Sequence, residues 1–579
     1  MAKPDAAQVA KILRELARRM ELEGGNPYRA RAYARAAENL SLSQVPLERL
    51  IKEQRLKEVP GIGDSIAAVV TELHQTGQHA RLEAMRGKAP EGVLTMLGIP
   101  GLTPERARKL YTDLGIASVE ALEEAIRTDR LKALKGYGPA FQAKVLQGIE
   151  MSRRPQGRHI HRAAAAIDYA RSEVERLHPD WTMITPAGEF RRGCELVSAL
   201  SLVAVDPRLR GNNNSIVQGD QLTIHVTSPE RYGITLLLAT GSDQHIAALR
   251  ARAGEKGWML DETGLHDRNR IFASKTEEDI YEALGLQFIA PELRETGAEV
   301  ARAAAGKLPA LVTGEDLRGV LHVHTDQSDG ADTLEEMADA ARKRGYAYLG
   351  LTDHSQTAHY AGGLKADEVL AQQKVVERLN KTYGRKFHVF KGIESDILGD
   401  GSLDYPEDIL GRFDLVIASV HSKFKMSESE QTGRIVKAIE NPHTTILGHV
   451  SGRQLLRRPG YDVDMERILR ACAKHGVAIE INAHPWRLDM DWRWCARALE
   501  LGCLFSIDPD AHSTAEIDNL QWGVLMARKG GVSKDRVLNA LSLDEFTRYL
   551  KERKQGTAPR ANSRRRSTKA RSEGAALAR

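Results

Sequence analysis

The residues of this chain that could do chemistry are imidazoles and carboxylates gathered in its last 260 or so positions. His322 and His324 stand at i and i+2 in the run GVLHVHT, and Asp329 follows in the next polar stretch. Further on, Asp353 and His354 close AYLGLTDH, Glu394 closes HVFKGIE, His421 closes LVIASVH, and His449 stands in TTILGHV. Asp510 and His512, again at i and i+2, follow LFSIDPD. A lone histidine is more often a satisfied packing residue than a ligand. Here a candidate stands at the end of almost every apolar run, and coincidence is a poor account of that. Mixed nitrogen and hard oxygen donors suit manganese, with zinc or iron as alternatives, better than magnesium alone. Several such ions close together would acidify a water and neutralise a phosphate under attack, which is the chemistry of a phosphoesterase. We therefore expect metal ligands among His322, His324, Asp329, Asp353, His354, Glu394, His421, His449, Asp510 and His512. Lys423, Arg453 and Arg487 lie just past strand ends and are candidate phosphate contacts, with a solvated surface charge as the equal alternative. His484 is the weaker candidate of this region.

The elements that must position these residues are legible as short β-rich runs at 319–325, 347–353, 388–394, 415–421, 444–450, 477–483 and 504–510. A helical pattern follows each of the first six, as in TLEEMADAARKRG and DMERILRACAKHG. Repeated strand–helix units predict a parallel barrel or sheet, and functional groups in parallel barrels gather at the carboxyl ends of the strands.

The rest of the chain is of a different kind. Its 579 residues are too many for one core. There is no apolar run near the ~20 residues of a bilayer crossing, so no membrane partner is expected. The amino terminus reads as an amphipathic helix rather than a secretory signal. Cys194, Cys472, Cys495 and Cys503 are widely spaced and form neither a CxxC pair nor a disulfide framework, which fits thiols in a reducing cytoplasm. The net charge of +5 says little, but residues 553–579 are rich in arginine and read as a disordered basic tail.

Residues 1–150 carry three related segments, LKEVPGIGDSIAAVV at 56–70, LGIPGLTPERARKLY at 97–111 and LKGYGPAFQAKVL at 134–146. Each sets a glycine-bearing turn between short amphipathic helices, a device that aims backbone N–H groups and a helix N-terminus at a phosphate. Repetition makes the case stronger than any single turn does. Gly61, Gly63, Gly101, Gly136 and Gly138 are the expected DNA-backbone contacts. The stretch GGNPYRARAYARAAENL at 24–40 adds Arg29, Arg31 and Arg35 around Tyr28 and Tyr33.

These turns resemble the helix-hairpin-helix motif, and residues 1–300 resemble a family X DNA polymerase in order and motifs. The palm counterpart is TPAGEFRRGCELVSALSLVAV at 185–205, and the thumb counterparts are TGSDQHIAALRARAGEKGWMLDETGL at 240–265 and EEDIYEALGLQFIAPELRE at 277–295. The carboxy-terminal region, about 316–550, resembles the PHP (polymerase and histidinol phosphatase) domain. The resemblance implies that His322, His324, Asp329, His354, Glu394, His421, His449, Asp510 and His512 are the ligands and hold about three ions, with His322, His324, Glu394 and Asp510 as the expected catalytic residues. It implies a multidomain chain: helical hairpin domains at 1–88 and 89–152, an α+β palm at 153–238, a thumb at 239–305, and a distorted (β/α)7 barrel at 316–552.

One part of the resemblance fails. The family sets two aspartates at i and i+2 on a palm strand and a third on its neighbour, and magnesium-dependent nucleotidyl transfer needs them. Here those positions are Ala199, Ser201 and Thr223. The family's Gly-Ser is Gly188–Glu189, and an acid there repels a triphosphate, although Arg191, Arg192 and Thr240–Ser242 remain. The lysines of the family's lyase site match Val69 and Ser65, so lysine-dependent lyase chemistry is not expected either. The reading is a metal-dependent DNA phosphoesterase, a 3′–5′ exonuclease or 3′-end processor in DNA repair, whose polymerase centre is lost. It would act as a cytoplasmic, nucleoid-associated monomer on gapped or 3′-end-containing DNA. The alternatives are a live family X polymerase with the barrel as editor, a non-catalytic DNA-end-binding scaffold, and a small-molecule phosphatase.

Overall fold

The computed structural model describes residues 3–24, 26–42, 47–99, 102–152, 157–210, 215–219, 221–267 and 269–555. Gly101 and the basic tail from 556 onward lie outside the described residues. The chain divides into two units, residues 1–306 with 456–458, and 307–455 with 459–579.

The first unit begins with helices. Ala6–Glu23 buries Val9, Ala10, Leu13, Leu16, Ala17 and Met20 at helical spacing. Asp5 and Gln8 form its capping box, and Gly24, at φ 77°, ends it. This core takes in Ile62, Ile66, Val70 and Leu73 of the first hairpin. A second apolar cluster gathers Val93, Leu110, Leu122, Tyr137 and Val145 around the later hairpins. Strands β1 (Arg158–His159) and β3 (Leu196–Val197) form a small antiparallel pair. A four-stranded sheet follows, in the order β2 (Thr182–Pro186), β4 (Leu200–Val205), β6 (Leu222–Thr227), β5 (Ser215–Gln218). One face of this sheet packs on the helix Ile160–Leu177 through Ala163, Ile167 and Val174. Then come the helix Asp243–Glu255 and a three-stranded antiparallel sheet of β7 (Met259–Asp261), β8 (Gly264–His266) and β9 (Ile271–Ala273).

The second unit is a barrel of seven parallel strands in sequential order: β10 (Gly319–Val323), β11 (Tyr348–Leu351), β12 (His388–Asp396), β13 (Leu415–Ser419), β14 (Ile446–Leu447), β15 (Ala478–Asn482) and β16 (Phe505–Asp508). The strands are buried on both faces, as near-continuous apolar runs in a parallel barrel require. The ends of the sheet meet where His324 N donates to Ala511 O at 2.9 Å and Ala511 N to His322 O at 3.2 Å. Asn539 Nδ2 bridges the same seam between the carbonyls of Gly319 and Ile507. The expectation of a tail from residue 553 is corrected at its start. Arg553 and Lys554 complete the last helix, Leu543–Lys554, and the buried Arg553 guanidinium donates to the carbonyls of His475, Gly476 and Thr444. Among the described residues no helix is long and apolar enough to cross a membrane.

Candidate metal centre

The carboxyl ends of the barrel strands bring all nine expected ligands into one cluster. β10 delivers His322 and His324 through an irregularity: the register against β11 shifts between Val320 and Val323, and His322 adopts φ 59°. A bulge of this kind re-aims a side chain, and both imidazoles end fully buried with ring centroids 5.2 Å apart. Asp510, just past β16, also has positive φ, at 51°. Each non-glycine residue held there costs about 1–3 kcal/mol, supplied by the packed strands around it.

Glu394 lies at the centre, 1 % exposed. Its Oε1 is 2.9 Å from His449 Nε2 and 3.3 Å from both His322 Nε2 and His421 Nε2. Its Oε2 is 3.0 Å from His354 Nδ1 and 3.7 Å from His324 Nε2. Asp510 Oδ1 stands 3.3 Å from His324 Nε2 and 3.5 Å from His322 Nε2. Asp329 Oδ1 reaches His512 Nε2 at 3.3 Å and His354 Nε2 at 3.5 Å. The donors fall into overlapping groups, each compact enough to share one ion: His324, Asp329, His354 and His512; His322, His324 and Asp510; His322, Glu394 and His449; His354, Glu394 and His421.

The arrangement fits cations better than it fits hydrogen bonding. His322 Nε2, both nitrogens of His324, and Nδ1 of His354 and of His449 are buried with no hydrogen-bond partner, a condition that buried polar atoms rarely tolerate. Burial opposes charge on Glu394, yet His421, His322 and His354 hold it well below the usual carboxylate range. Asp510 is likewise buried and held well below by His322, His324 and Arg487. Burial works against a proton on His421 and on His512, but Glu394 and Asp396 raise the first to about 9, and Asp329 and Asp510 the second to about 9. Burial, with His354 and His512 nearby, pushes His324 down to about 3. Ligation requires deprotonated imidazoles, so these carboxylates draw either protons or metal ions into the same space.

Three residues that sequence reasoning missed hold the candidate ligands in place. Glu480 in β15 bonds His322 Nδ1 and accepts from the backbone N–H of His449. Asp396 accepts from His421 Nδ1 at 2.6 Å. Asn482 Nδ2 donates to Asp510 Oδ2 at 3.1 Å. Such partners fix the tautomer and orientation of a ligating imidazole. A signal was present: Asp396 stands at i+2 from Glu394, and Glu480 is a carboxylate inside the apolar run VAIEIN.

The candidate phosphate contacts divide. Arg487 faces the cluster, with Nε 3.3 Å from Asp510 Oδ2. Lys423 stands two residues past His421, exposed, at φ 56° beside Gly399. Arg453 is corrected. Its guanidinium donates to Asp491 Oδ2 at 2.9 Å and to the carbonyls of Arg487 and Leu488, so it braces the loop that carries Arg487. His484 accepts from the backbone N–H of Trp486 at 3.3 Å and packs as a loop residue.

In the first unit, Ser201 and Thr223 are register partners on the parallel strands β4 and β6, and Ala199 immediately precedes β4. Glu189 accepts from Ser198 N and Oγ. Arg191 forms a fork with Glu277 at 2.8 and 2.7 Å, and Arg192 binds Glu295 at 3.0 Å, so both arginines are committed to ion pairs. At the hairpins, Gly61 and Gly136 adopt φ 88° and 91°, conformations that favour glycine. A Cβ added at Gly63, Gly136 or Gly138 would meet nothing within 4 Å. Gly63 opens the helix Asp64–Thr76 without a side-chain cap, which leaves its first N–H groups facing outward.

Comparison with known proteins agrees with these parts. The model of a helix-hairpin-helix domain matches residues 4–79, that of a SAM-like helix-hairpin-helix tandem 93–144, that of the DNA polymerase beta thumb 235–295, and that of the PHP domain 321–484. Asp510 and His512 lie beyond the last match, and the closing of the barrel is what joins them to it. The fold and the metal-ligand cluster thus define a PHP-type hydrolase carried with DNA-binding hairpin and thumb modules. The DNA polymerase/3′-5′ exonuclease PolX of Bacillus subtilis (strain 168) is 33 % identical over 572 residues, covering 94 % of this chain and 99 % of its own. The chain belongs to the PolX family. Probable phosphatases of Thermoanaerobacter sp. (strain X514) and Vibrio parahaemolyticus are each 31 % identical over 40 % of this chain, covering 94 % and 91 % of their own lengths.

Proposed function

We propose that the barrel is a metal-dependent DNA phosphoesterase that removes or trims 3′ ends during DNA repair, on a scaffold whose nucleotidyl-transfer centre is inactive. The observation that carries this reading is the gathering of five imidazoles around the buried Glu394, with Asp510, Asp329 and His512 completing the donor set. His322, His324, Asp329, His354, Glu394, His421, His449, Asp510 and His512 would hold about three ions, manganese first. Bound ions would supply an activated water and charge neutralisation at the phosphate. Arg487 is placed to hold a phosphate oxygen, because it faces the cluster beside Asp510 and its Nη groups make no hydrogen bond among the described residues. Glu480 and Asp396 keep His322 and His421 in the tautomer that presents Nε2 to the cluster.

The pairing of Ser201 with Thr223 supports the loss of synthesis. Two neutral hydroxyls and the methyl of Ala199 replace the carboxylates that would clamp magnesium. The hairpin turns at Gly61–Gly63 and Gly136–Gly138 would deliver the barrel to gapped or nicked duplexes by backbone contact. The test is a labelled gapped duplex incubated with manganese, with and without deoxynucleotides. Shortening from the 3′ end that chelation abolishes, with no extension when nucleotides are added, is the expected result. Extension by protein freed of contaminating polymerases would overturn the assignment of an inactive palm, and intact DNA under all conditions would overturn the nuclease.

A further inference from the structure

One aromatic side chain stands at the metal cluster without holding any part of it. Tyr360 follows β11 in the short turn His359–Ala361. Its ring centroid is 6.1 Å from that of His354 and 6.4 Å from that of His421, two members of one ligand group. The ring is nevertheless 70 % exposed, and its hydroxyl makes no hydrogen bond among the described residues. The backbone beneath it is fixed. Ala361 and Leu364 are each 2 % exposed, Leu364 N donates to His354 O at 2.9 Å, and Gly363 N donates to Ala358 O at 3.1 Å. A Cβ at Gly363 would come within 1.8 Å of Ser355 O, so the turn closes onto the ligand strand as only glycine allows. A large flat ring on a rigid base loses little entropy when it is covered.

The chemistry around the ring selects its occupant. Phosphate needs cations and guanidinium, and Arg487, whose charge is felt at the Tyr360 phenol, supplies the latter. A phosphate group alone has no use for an exposed aromatic face. A ligand that couples a phosphate to a planar heterocycle uses both. We propose that Tyr360 is the platform on which the terminal nucleobase of a DNA strand stacks, so that the barrel takes nucleic-acid ends in preference to small phosphate esters. This rests on the phosphoesterase reading and names the feature that makes its substrate a polynucleotide. Stacking tolerates any base, because every base offers a π face, so the preference is for a nucleotide end and not for a sequence.

The test uses the full chain with a single-stranded oligonucleotide whose 3′-terminal base is 2-aminopurine and whose last linkage is a phosphorothioate that resists cleavage. Binding should quench the terminal fluorophore in the wild type and in Tyr360→Phe, and not in Tyr360→Ala, while an internal 2-aminopurine reports no difference among the three. In hydrolysis, Tyr360→Ala should raise KM for an unmodified strand about ten-fold or more, the scale of one lost base stack. Its rate on bis(p-nitrophenyl) phosphate, and its metal content, should stay at wild-type levels. Equal quenching in Tyr360→Ala would overturn the platform, as would a parallel loss on the small diester. Quenching that depends on Tyr360 in a protein that cleaves neither substrate would keep the platform and remove the phosphoesterase.

Discussion

At the scale of single residues, the molecule sets five imidazoles on one buried carboxylate and then braces the imidazoles from behind. Glu394 alone could not stay ionised at 1 % exposure without the positive partners that surround it. Removing one donor should therefore do two things: lower metal occupancy, and leave the remaining carboxylates less well compensated. Asp510→Ala or His324→Ala is expected to lose at least ~100-fold in hydrolysis of DNA and of a small phosphodiester alike, the scale on which a metal-activated nucleophile fails. Chelation of the wild type should reproduce the loss and manganese should reverse it, with metal analysis giving about three ions per chain before treatment. A ligand variant that keeps full activity would remove the basis of the metal reading. Glu480→Gln should give a smaller loss, roughly 10–100-fold, since it unsettles His322 without removing it.

At the scale of elements, two devices of the first unit have measurable consequences. Gly63 and Gly138 do not need glycine for their backbone angles and face open space, so valine there should leave folding intact. The added methyls stand where a phosphate would approach the helix N-termini, and duplex affinity should fall roughly five-fold or more while hydrolysis of a small diester is unchanged. Unaltered affinity would move the DNA grip elsewhere. Within the thumb-like segment, the fully buried His245 bonds Glu299 at 2.7 Å and the Tyr281 hydroxyl at 2.8 Å. Burial lowers its pKa below 6.5 against the pull of Glu299. Because the folded value is depressed, the unfolded chain takes up the proton first. Stability is full above about pH 6.5 and declines as pH falls toward the folded value, by at most about 1.4 kcal/mol per unit from this group. Thermal unfolding of the first unit between pH 7.5 and 5.5 should show that decline, reduced in His245→Phe. The elements themselves were largely visible in the sequence, because apolar runs alternating with helical patterns can satisfy their backbones only as a parallel sheet. The clustering of the nine proposed ligands was visible for the same reason, since strand ends converge. The bulge that turns His322 was not, because φ leaves no trace in residue type. Arg453 was misread because a guanidinium past a strand end looks the same whether it faces a substrate or, as here, Asp491 and two carbonyls.

At the scale of the whole chain, the residues fall into two units with separate cores. The probable phosphatases of Thermoanaerobacter sp. and Vibrio parahaemolyticus spend 94 % and 91 % of their lengths on a region that is 40 % of this chain. Here the seam between β10 and β16 is closed from within by Asn539 and Ala511, and the helix Leu543–Lys554 packs Phe546, Tyr549 and Leu550 into the core with Tyr348 of β11 and Phe390 of β12. All nine proposed ligands lie between Gly319 and His512. Residues 307–555 produced alone are therefore expected to fold cooperatively, to bind about three metal ions, and to cleave a small phosphodiester at a rate within about three-fold of the full chain. What they should lose is the salt-sensitive hold on duplex DNA that the hairpins would provide, so that activity on a gapped duplex falls mainly through KM and its dependence on salt flattens. Truncation inside the last helix, at Phe546, should unfold the piece, since it uncovers the core residues Tyr348 and Phe390. If the isolated barrel folds but binds no metal, the donor set is incomplete without the first unit and the division of labour argued here fails. If it retains full affinity for gapped DNA, the hairpins are not what brings the barrel to its substrate.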